Sequence, residues 1–295
     1  MTISSIIPLE NLNFTLWLDG KYINSLDAKI HILTHSMQYA GGVYEGVKAK
    51  DGYIFKLEEH TTRLFESARM MRLDIPFSHQ EIVDVHHELL RLNNLQNAYF
   101  RPFVWRQTDS VRILPSNPRS HIIIAAWNMA LRSAESIRVN VSNWVKPGKN
   151  MFPHGCKASA QYGLLAIAAM EARDQGFDDS IMLDEKGFIA ECTSANIFFI
   201  KEGALYTPKT DYCLDGITRR SVIEIAKKEE IECFVQDISP SDLSSFDSAF
   251  ITGTAVEVRE ICHILFGVKE INYQASEIFQ KIKNIYQKMI RGINE

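Results

Sequence analysis

Two Asp-Gly pairs place the strongest constraint on how this chain folds. They stand at 19–20 and 51–52, and strand-like segments flank each of them. Asp-Gly favours a tight turn with positive φ, whose twist suits an antiparallel hairpin. The sequence therefore predicts two hairpins, over 14–23 and 43–56, that begin a sheet.

Helical and strand patterns complete a first domain. Apolar residues recur at helical spacing over 57–73 and 80–93, and Ser78 is placed to cap the second of these helices. Strand patterns return over 98–106 and 121–127. We expect an α+β domain over residues 1–128, followed by an interdomain linker at 129–136.

The second half is rich in short strands. Helical patterns occupy 161–175, 218–229 and 273–291, and the predicted strands are 137–141, 180–184, 188–193, 196–201, 204–206, 231–236, 248–252 and 256–261. Closely spaced strands with few long crossovers favour a partly barrel-like domain with helices outside it. The predicted fold class is α/β (α+β) with two domains: a small sheet-plus-helices domain and a larger β-barrel-like one over 137–295.

Composition excludes several classes of function. The net charge of -4 gives no basic field for nucleic acid or anionic lipid. The five cysteines include no CxxC pair, which argues against a zinc site and against a disulfide framework, and no other metal site is indicated. The first residues lack the basic flank and apolar run of a signal peptide, so we expect a cytoplasmic protein without a membrane anchor.

Lys157 is the first candidate for chemistry. It lies among small residues in PHGCKASAQYG (153–163). Small, uncharged neighbours leave a path to the amine, and partial removal from water favours the neutral amine that forms a Schiff base with an aldehyde cofactor. An ordinary loop lysine is the alternative reading of this segment.

Three further features suit a cofactor and an acidic substrate. Glu191 is set among apolar and small residues, where a carboxylate could face a protonated ring nitrogen, although it could equally reach water from its strand. Small residues at 216–218, which open a helix, and at 252–255 offer free amides for a phosphate; they could also be a plain cap and a plain turn. Tyr99 and Arg101 fall on one face of a strand and could fix a carboxylate.

Taken in order, these segments resemble the fold type IV enzymes that use pyridoxal 5'-phosphate (PLP), and most of all the branched-chain amino acid aminotransferases. The resemblance runs from about residue 16 to 268. It is carried by HSMQYAGGVYEGVKA (35–49), EEHTTRLFESA (58–68), NAYFRPF (97–103), the Lys157 segment, ECTSANIFFI (191–200), LDGITR (214–219) and FITGTAVEV (250–258).

The resemblance implies a role for each matching residue. Lys157 is expected to form the Schiff base with PLP and to shuttle a proton. The remaining cofactor-binding residues are expected to be Glu191 at the pyridinium nitrogen, Tyr162 at the phenolic oxygen, and Arg63, Ile217, Thr218 and Thr254 at the phosphate. The substrate-binding residues are expected to be Tyr99, Thr254 and Ala255 at the α-carboxylate, Tyr39 and Tyr44 at the side chain, and Arg101 at the distal carboxylate of glutamate.

The implied reaction is ping-pong transfer of the amino group of Leu, Ile or Val to 2-oxoglutarate. A D-amino acid transaminase and an aminodeoxychorismate lyase of the same fold are the alternatives, and a cofactor-free binding protein is another. The segment RQTDSVRILPSNP (106–118) departs from the glycine-rich loop usual in branched-chain enzymes, so the preferred amino donor stays open. A homodimer or larger homo-oligomer is expected, since family members complete the site with a neighbouring subunit.

Overall fold

The structure is a computed structural model that describes residues 13–107, 110–114, 116–128, 135–153 and 155–293. The chain divides into two compact units. The first unit is Met1–Ala130 with Lys157–Ala160, and the second is Leu131–Cys156 with Gln161–Glu295. The predicted limits 1–128 and 137–295 stay a proposal, and residues 129–134 of the predicted linker lie outside the described residues.

The first unit is built on a seven-stranded antiparallel sheet. Its strands are β1 (Thr15–Leu18), β2 (Lys21–Asn24), β3 (Gly42–Tyr44), β4 (Val47–Lys50), β5 (Tyr53–Ile54), β6 (Ala98–Gln107) and β7 (Arg119–Trp127). The strand order is β2-β1-β7-β6-β4-β5, with β3 also paired to β6. The two long central strands therefore each receive one hairpin: β1 pairs with β7, and β4 pairs with β6.

Both Asp-Gly turns are confirmed. Asp19 and Gly20 have φ of 47° and 89°, and Asp51 and Gly52 have φ of 53° and 82°. Two successive positive φ values define the hairpin turn that Asp-Gly favours. The second hairpin differs from the prediction, because its first strand is interrupted at Glu45 and continues as β4.

The helices of the first unit are α1 (His35–Tyr39), α2 (Leu57–Met70) and α3 (His79–Leu92), and a short 3-10 helix covers Ser25–Asp27. The predicted cap of α3 is confirmed: Ser78 accepts from the backbone of Glu81, whose side chain accepts from the backbone of Ser78. Helix α1 was not predicted, since five residues are too few to show a helical period.

The second unit is built on a nine-stranded mixed sheet that forms a half-barrel. Its strands are β8 (Ser136–Val145), β9 (Asp179–Leu183), β10 (Ile189–Cys192), β11 (Asn196–Lys201), β12 (Ala204–Pro208), β13 (Cys233–Gln236), β14 (Ser248–Gly253), β15 (Glu257–Phe266) and β16 (Lys269–Asn272). The order is β10-β9-β8-β15-β14-β11-β12-β13, with β16 paired to β15. Strand β16 was not predicted.

Three helices and a 3-10 turn accompany this sheet. Helix α4 (Ser159–Asp174) begins in the first unit and belongs to the second from Gln161 on, while α5 (Ile217–Lys228), α6 (Glu277–Met289) and the 3-10 helix Pro240–Ser245 lie wholly in the second. A large apolar cluster fills the sheet, with Ile197, Phe199 and Ile261 fully buried. The predicted mixed α/β fold with a barrel-like second sheet is confirmed. Across the described ranges, every helix is too short or too polar to cross a membrane.

Candidate active site

Lys157 is held by its backbone in the first unit. Its N–H donates to Ser67 Oγ (3.0 Å), and its carbonyl accepts from the N–H of Tyr44 (3.1 Å). The next residue, Ala158, forms an isolated β-bridge with Val43. These contacts fix the half-buried lysine between α2 and β3, and its Nζ lies 5.0 Å from the ring centroid of Tyr44.

Arg101 and two tyrosines form a cluster beside this lysine. The guanidinium lies 4.6 Å from the ring centroid of Tyr44 and 5.6 Å from that of Tyr99, and its Nη2 lies 3.4 Å from Tyr99 Oη. Tyr99 and Arg101 share a face of β6, as the alternation predicted. Arg101 Nε is buried and has no hydrogen-bond partner among the described residues, so a donor is available for a carboxylate.

Gly46 allows Tyr99 to occupy this position. A Cβ at Gly46 would lie 2.0 Å from the hydroxyl oxygen of Tyr99 and 2.8 Å from its Cζ. Only a residue without a side chain fits where β3 gives way to β4. The interruption that sequence patterns did not predict therefore makes room for a candidate substrate-binding group.

Arg63 is anchored by a buried carboxylate. Its Nε and Nη2 donate to Glu45 Oε1 (2.6 Å) and Oε2 (2.9 Å), and His60 Nδ1 lies 2.8 Å from Glu45 Oε2. Burial works against the charged form of Glu45, yet Arg63 and His60 outweigh it and hold the pKa of that carboxyl well below its usual range. Burial in turn lowers the pKa of His60, against the opposing effect of Glu45. The arrangement fixes the arginine for which the family resemblance implies a role at the phosphate.

The two tyrosines expected at the substrate side chain have different surroundings. Tyr44 is half-buried beside Lys157 and Arg101. Tyr39 is 39% exposed at the end of α1, and its hydroxyl donates to the carbonyl of Val111 (2.7 Å). Tyr39 therefore connects α1 to the 110–114 segment. Thr108 and Asp109, which belong to the same atypical 106–118 segment, lie outside the described residues.

Glu191 lies in the second unit with three donors on its carboxylate. It is 7% exposed on β10. Lys146 Nζ donates to Oε1 (2.5 Å), while Asn196 Nδ2 (3.2 Å) and the N–H of Leu214 (3.3 Å) donate to Oε2. Sequence reasoning missed Lys146 and Asn196, because nothing in the local pattern shows that a lysine after β8 reaches an acid on β10.

Two of the residues assigned to the phosphate, Ile217 and Thr218, begin α5. Its N-cap is Gly216, and no side chain caps the first turn, so the amides that begin the helix at Ile217 and Thr218 remain available. Thr252 Oγ1 is buried without a hydrogen-bond partner among the described residues. Thr254 and Ala255 are half-buried in the turn between β14 and β15. This donor set suits a dianion.

Tyr162 is partly buried on α4 in the second unit. It packs against the cluster of Leu165, Ala168 and Met182. Its predicted bond to a cofactor oxygen stays a prediction. Within the described residues, no group of three or more His, Cys, Asp or Glu side chains could hold a metal ion.

The fold, the Lys157 and Arg101 groups of the first unit, and the Glu191 and α5 groups of the second unit are typical of one class of enzyme. The family model described as amino-transferase class IV matches residues 42–264, so the chain belongs to the class IV aminotransferase family. It is 40% identical over 284 residues to the probable branched-chain-amino-acid aminotransferase of Rickettsia bellii, covering 96% of this chain and 98% of that one.

Solved structures agree. The branched-chain aminotransferase of Thermoproteus uzoniensis with norvaline matches with a TM-score of 0.90 and 32% identity, over 96% of both chains. The branched-chain amino acid aminotransferase of Thermobaculum terrenum in its PLP form matches with a TM-score of 0.88 and 25% identity, over 96% of this chain and 95% of that one. The predicted membership of fold type IV is confirmed.

Proposed function

We propose that this enzyme is a PLP-dependent aminotransferase that moves the amino group of Leu, Ile or Val to 2-oxoglutarate in a ping-pong reaction. The observation that carries the proposal is the half-buried Lys157 beside the Arg101 and Tyr99 pair. An amine and a guanidinium with an unused donor, both placed against the ring of Tyr44, are suited to substrates that carry carboxylates. The names of the relatives support the branched-chain donor.

The residues present fit PLP. An uncapped helix N-terminus with a nearby unpartnered threonine hydroxyl suits its phosphate, and the buried carboxylate of Glu191 suits a protonated ring nitrogen. PLP supplies an aldehyde carbon that binds amines and a ring that withdraws electrons from the substrate α-carbon. We assign Arg63, Ile217, Thr218 and Thr254 to the phosphate, Glu191 to the ring nitrogen and Tyr162 to the phenolic oxygen.

Lys157 has two roles in this proposal. Its Nζ would hold the cofactor at the aldehyde carbon and, once released by the substrate amine, would move the proton of the substrate α-carbon. The backbone bonds to Ser67 and Tyr44 fix the start of the lysine chain, which limits the positions that Nζ can reach. A positioned base of this kind contributes typically about 10²- to 10⁴-fold to the rate of proton transfer.

We assign the substrate to the cluster of Arg101, Tyr44 and Tyr99, to Tyr39 and to the turn at 254–255. Tyr99 Oη and the amides of Thr254 and Ala255 bind the α-carboxylate, while Tyr39 and Tyr44 line the side-chain region. Arg101 binds the distal carboxylate of glutamate or 2-oxoglutarate. When an aliphatic side chain is bound instead, the guanidinium keeps its contact with the face of Tyr44, which offsets the loss of a carboxylate partner.

An amino-donor panel with 2-oxoglutarate as acceptor tests the proposal. We expect turnover of L-leucine, L-isoleucine and L-valine, a visible absorbance band in the purified protein and L-glutamate as product by chiral analysis. Exclusive turnover of D-alanine, or release of pyruvate from aminodeoxychorismate, would reject the branched-chain assignment. A colourless protein that binds no added PLP would reject the enzyme mechanism.

The role of Arg101 has its own test. Arg101→Met should raise KM for 2-oxoglutarate about tenfold or more, because a charge-assisted hydrogen bond is lost. Turnover of leucine with a monocarboxylic 2-oxo acid as acceptor should change little. Arg138→Met is the matched control, since Arg138 also lies over an aromatic ring, 5.2 Å from the centroid of Phe177, but is exposed on β8. Equal effects of both substitutions on 2-oxoglutarate would contradict this role.

We also propose a homodimer in the cytoplasm. In the first unit, the segments 26–37 and 111–114 expose apolar side chains, and His35 Nε2 lies 3.2 Å from the carbonyl of Ile113. The exposed residues are Ile30, Ile32, Leu33, Met37, Ile113 and Leu114. Several exposed apolar side chains on two segments that touch each other favour a subunit contact. Ile113→Glu together with Leu114→Glu should shift sedimentation towards the monomer, and a wild-type monomer with full activity would refute the dimer. The five cysteines all lie in the described ranges and form no disulfide with one another, as suits a reducing compartment.

A further inference from the structure

The buried carboxylate of Glu191 requires a nearby positive charge to stabilise it. All four residues of β10 are buried, and Ala190, Cys192 and Ala195 around the carboxylate are 0–4% exposed. Burial raises the pKa of the Cys192 thiol well above its usual value, so it stays neutral. An anion in such surroundings is costly unless a cation and several donors face it. A carboxylate buried at this position therefore needs a cationic partner within the protein.

Lys146 is that partner. It is 4% exposed, and its Nζ lies 2.5 Å from Glu191 Oε1. Its backbone N–H donates to the carbonyl of Leu183 (2.8 Å), which holds the residue beside β9. The neutral donors, Asn196 Nδ2 and the N–H of Leu214, bind the other oxygen. The charged contact and the neutral contacts are thus divided between the two carboxylate oxygens.

The other titratable groups nearby add no compensating cation. Burial raises the pKa of Asp179 on β9, and the negative charge of Glu191 adds to that rise. Burial likewise raises the pKa of the Cys213 thiol. Arg219 is paired with Asp215 at 3.2 Å. Among the described residues, Lys146 is the one cation in an ion pair with Glu191.

We propose that Lys146 is a positioning residue that keeps Glu191 ionised and oriented to accept a hydrogen bond from the protonated ring nitrogen of the cofactor. The inference rests on the proposed function, which assigns that nitrogen to Glu191. Without the ammonium, a charged carboxylate would be buried without a cation, which is costly unless the carboxyl takes up a proton. That proton occupies the carboxyl that should receive the ring N–H.

Three substitutions separate charge from packing. Lys146→Gln keeps a hydrogen-bond donor and removes the charge, and Lys146→Arg keeps the charge. Lys149→Gln is the matched control, because Lys149 pairs with Asp211 at 2.9 Å but both side chains are more than half exposed, at 51% and 53%. Lys146→Met serves as the second neutral variant if Lys146→Gln does not fold by circular dichroism.

The first measurement needs no cofactor. In full-length protein labelled with ¹³C at the glutamate side-chain carboxyls, the signal of Glu191 is assigned by its loss in Glu191→Gln. At neutral pH we expect the chemical shift of an ionised carboxylate in wild type, Lys146→Arg and Lys149→Gln, and that of a protonated carboxyl in Lys146→Gln. An ionised Glu191 in the neutral variant overturns the proposal.

The second measurement is proton uptake on addition of PLP, by calorimetry in two buffers of different ionisation enthalpy. Wild type should take up about one proton more than Lys146→Gln, since the variant already holds the proton that the ring site requires. Equal uptake overturns the proposal. If wild type does not change the absorbance of PLP, the proposed cofactor fails, whereas the carboxyl signal still decides the role of Lys146.

Discussion

Replacing Gly46 with alanine tests whether the position of Tyr99 matters for both folding and substrate binding. The new Cβ would lie 2.0 Å from Tyr99 Oη. A carbon and an oxygen without a bond prefer about 3.4 Å or more, so the hydroxyl has to move by about 1.4 Å. Tyr99 is 7% exposed and its ring lies 5.5 Å from that of Trp127, so the movement disturbs packed neighbours.

Two effects of known size follow. Overpacking of a buried site costs about 1–3 kcal/mol in the free energy of unfolding. A hydrogen bond to a charged group contributes about 1.5–3 kcal/mol, so withdrawing the Tyr99 hydroxyl from the α-carboxylate should lower kcat/KM about 10- to 100-fold. Urea unfolding measures the first effect, and initial rates with leucine and 2-oxoglutarate measure the second.

A control and a rescue make the test specific. Gly163 is exposed on α4 with no atom near its missing Cβ, so Gly163→Ala should be neutral or stabilising by about 1 kcal/mol. Adding Tyr99→Phe to Gly46→Ala removes the closest contact and should recover part of the lost stability. Wild-type stability and kcat/KM in Gly46→Ala would refute the reasoning.

Three further predictions concern other parts of the chain. Gly216→Ala would place a Cβ 2.0 Å from Asn196 Oδ1 and so disturb the loop before α5; PLP affinity, followed by absorbance, should fall about tenfold, and unchanged affinity would contradict this. Burial lowers the pKa of His86 from 6.5 to about 4, so the unfolded chain binds its proton first as the pH falls. The free energy of unfolding should therefore decrease by about 3 kcal/mol between pH 6.5 and 4. The decrease should be smaller in His86→Gln. In the control His87→Gln, where the replaced side chain is exposed, it should equal that of the wild type. Ser78→Ala should lower the free energy of unfolding by about 1 kcal/mol in urea, and no change would show that the cap is dispensable.

Much of the fold could be predicted because its signals are local. The Asp-Gly turns, the Ser78 cap and the helical spacing of α2 and α3 each depend on residues a few positions apart. The shared face of Tyr99 and Arg101 follows from strand alternation alone. Two short elements, α1 with five residues and β16 with four, were missed because so few residues do not display a clear period.

The sequence by itself determined the two Asp-Gly turns, the longer helices, the order of the segments that mark the family, and the candidate roles of Lys157 and Glu191. Only the tertiary structure decided which groups hold those residues. Lys146 meets Glu191 across 45 positions of sequence, and Arg63 meets Glu45 across 18. The physical reason is that a local pattern records which side chains can be buried, whereas the partner of a buried charge is set by the strands and helices that fold against it.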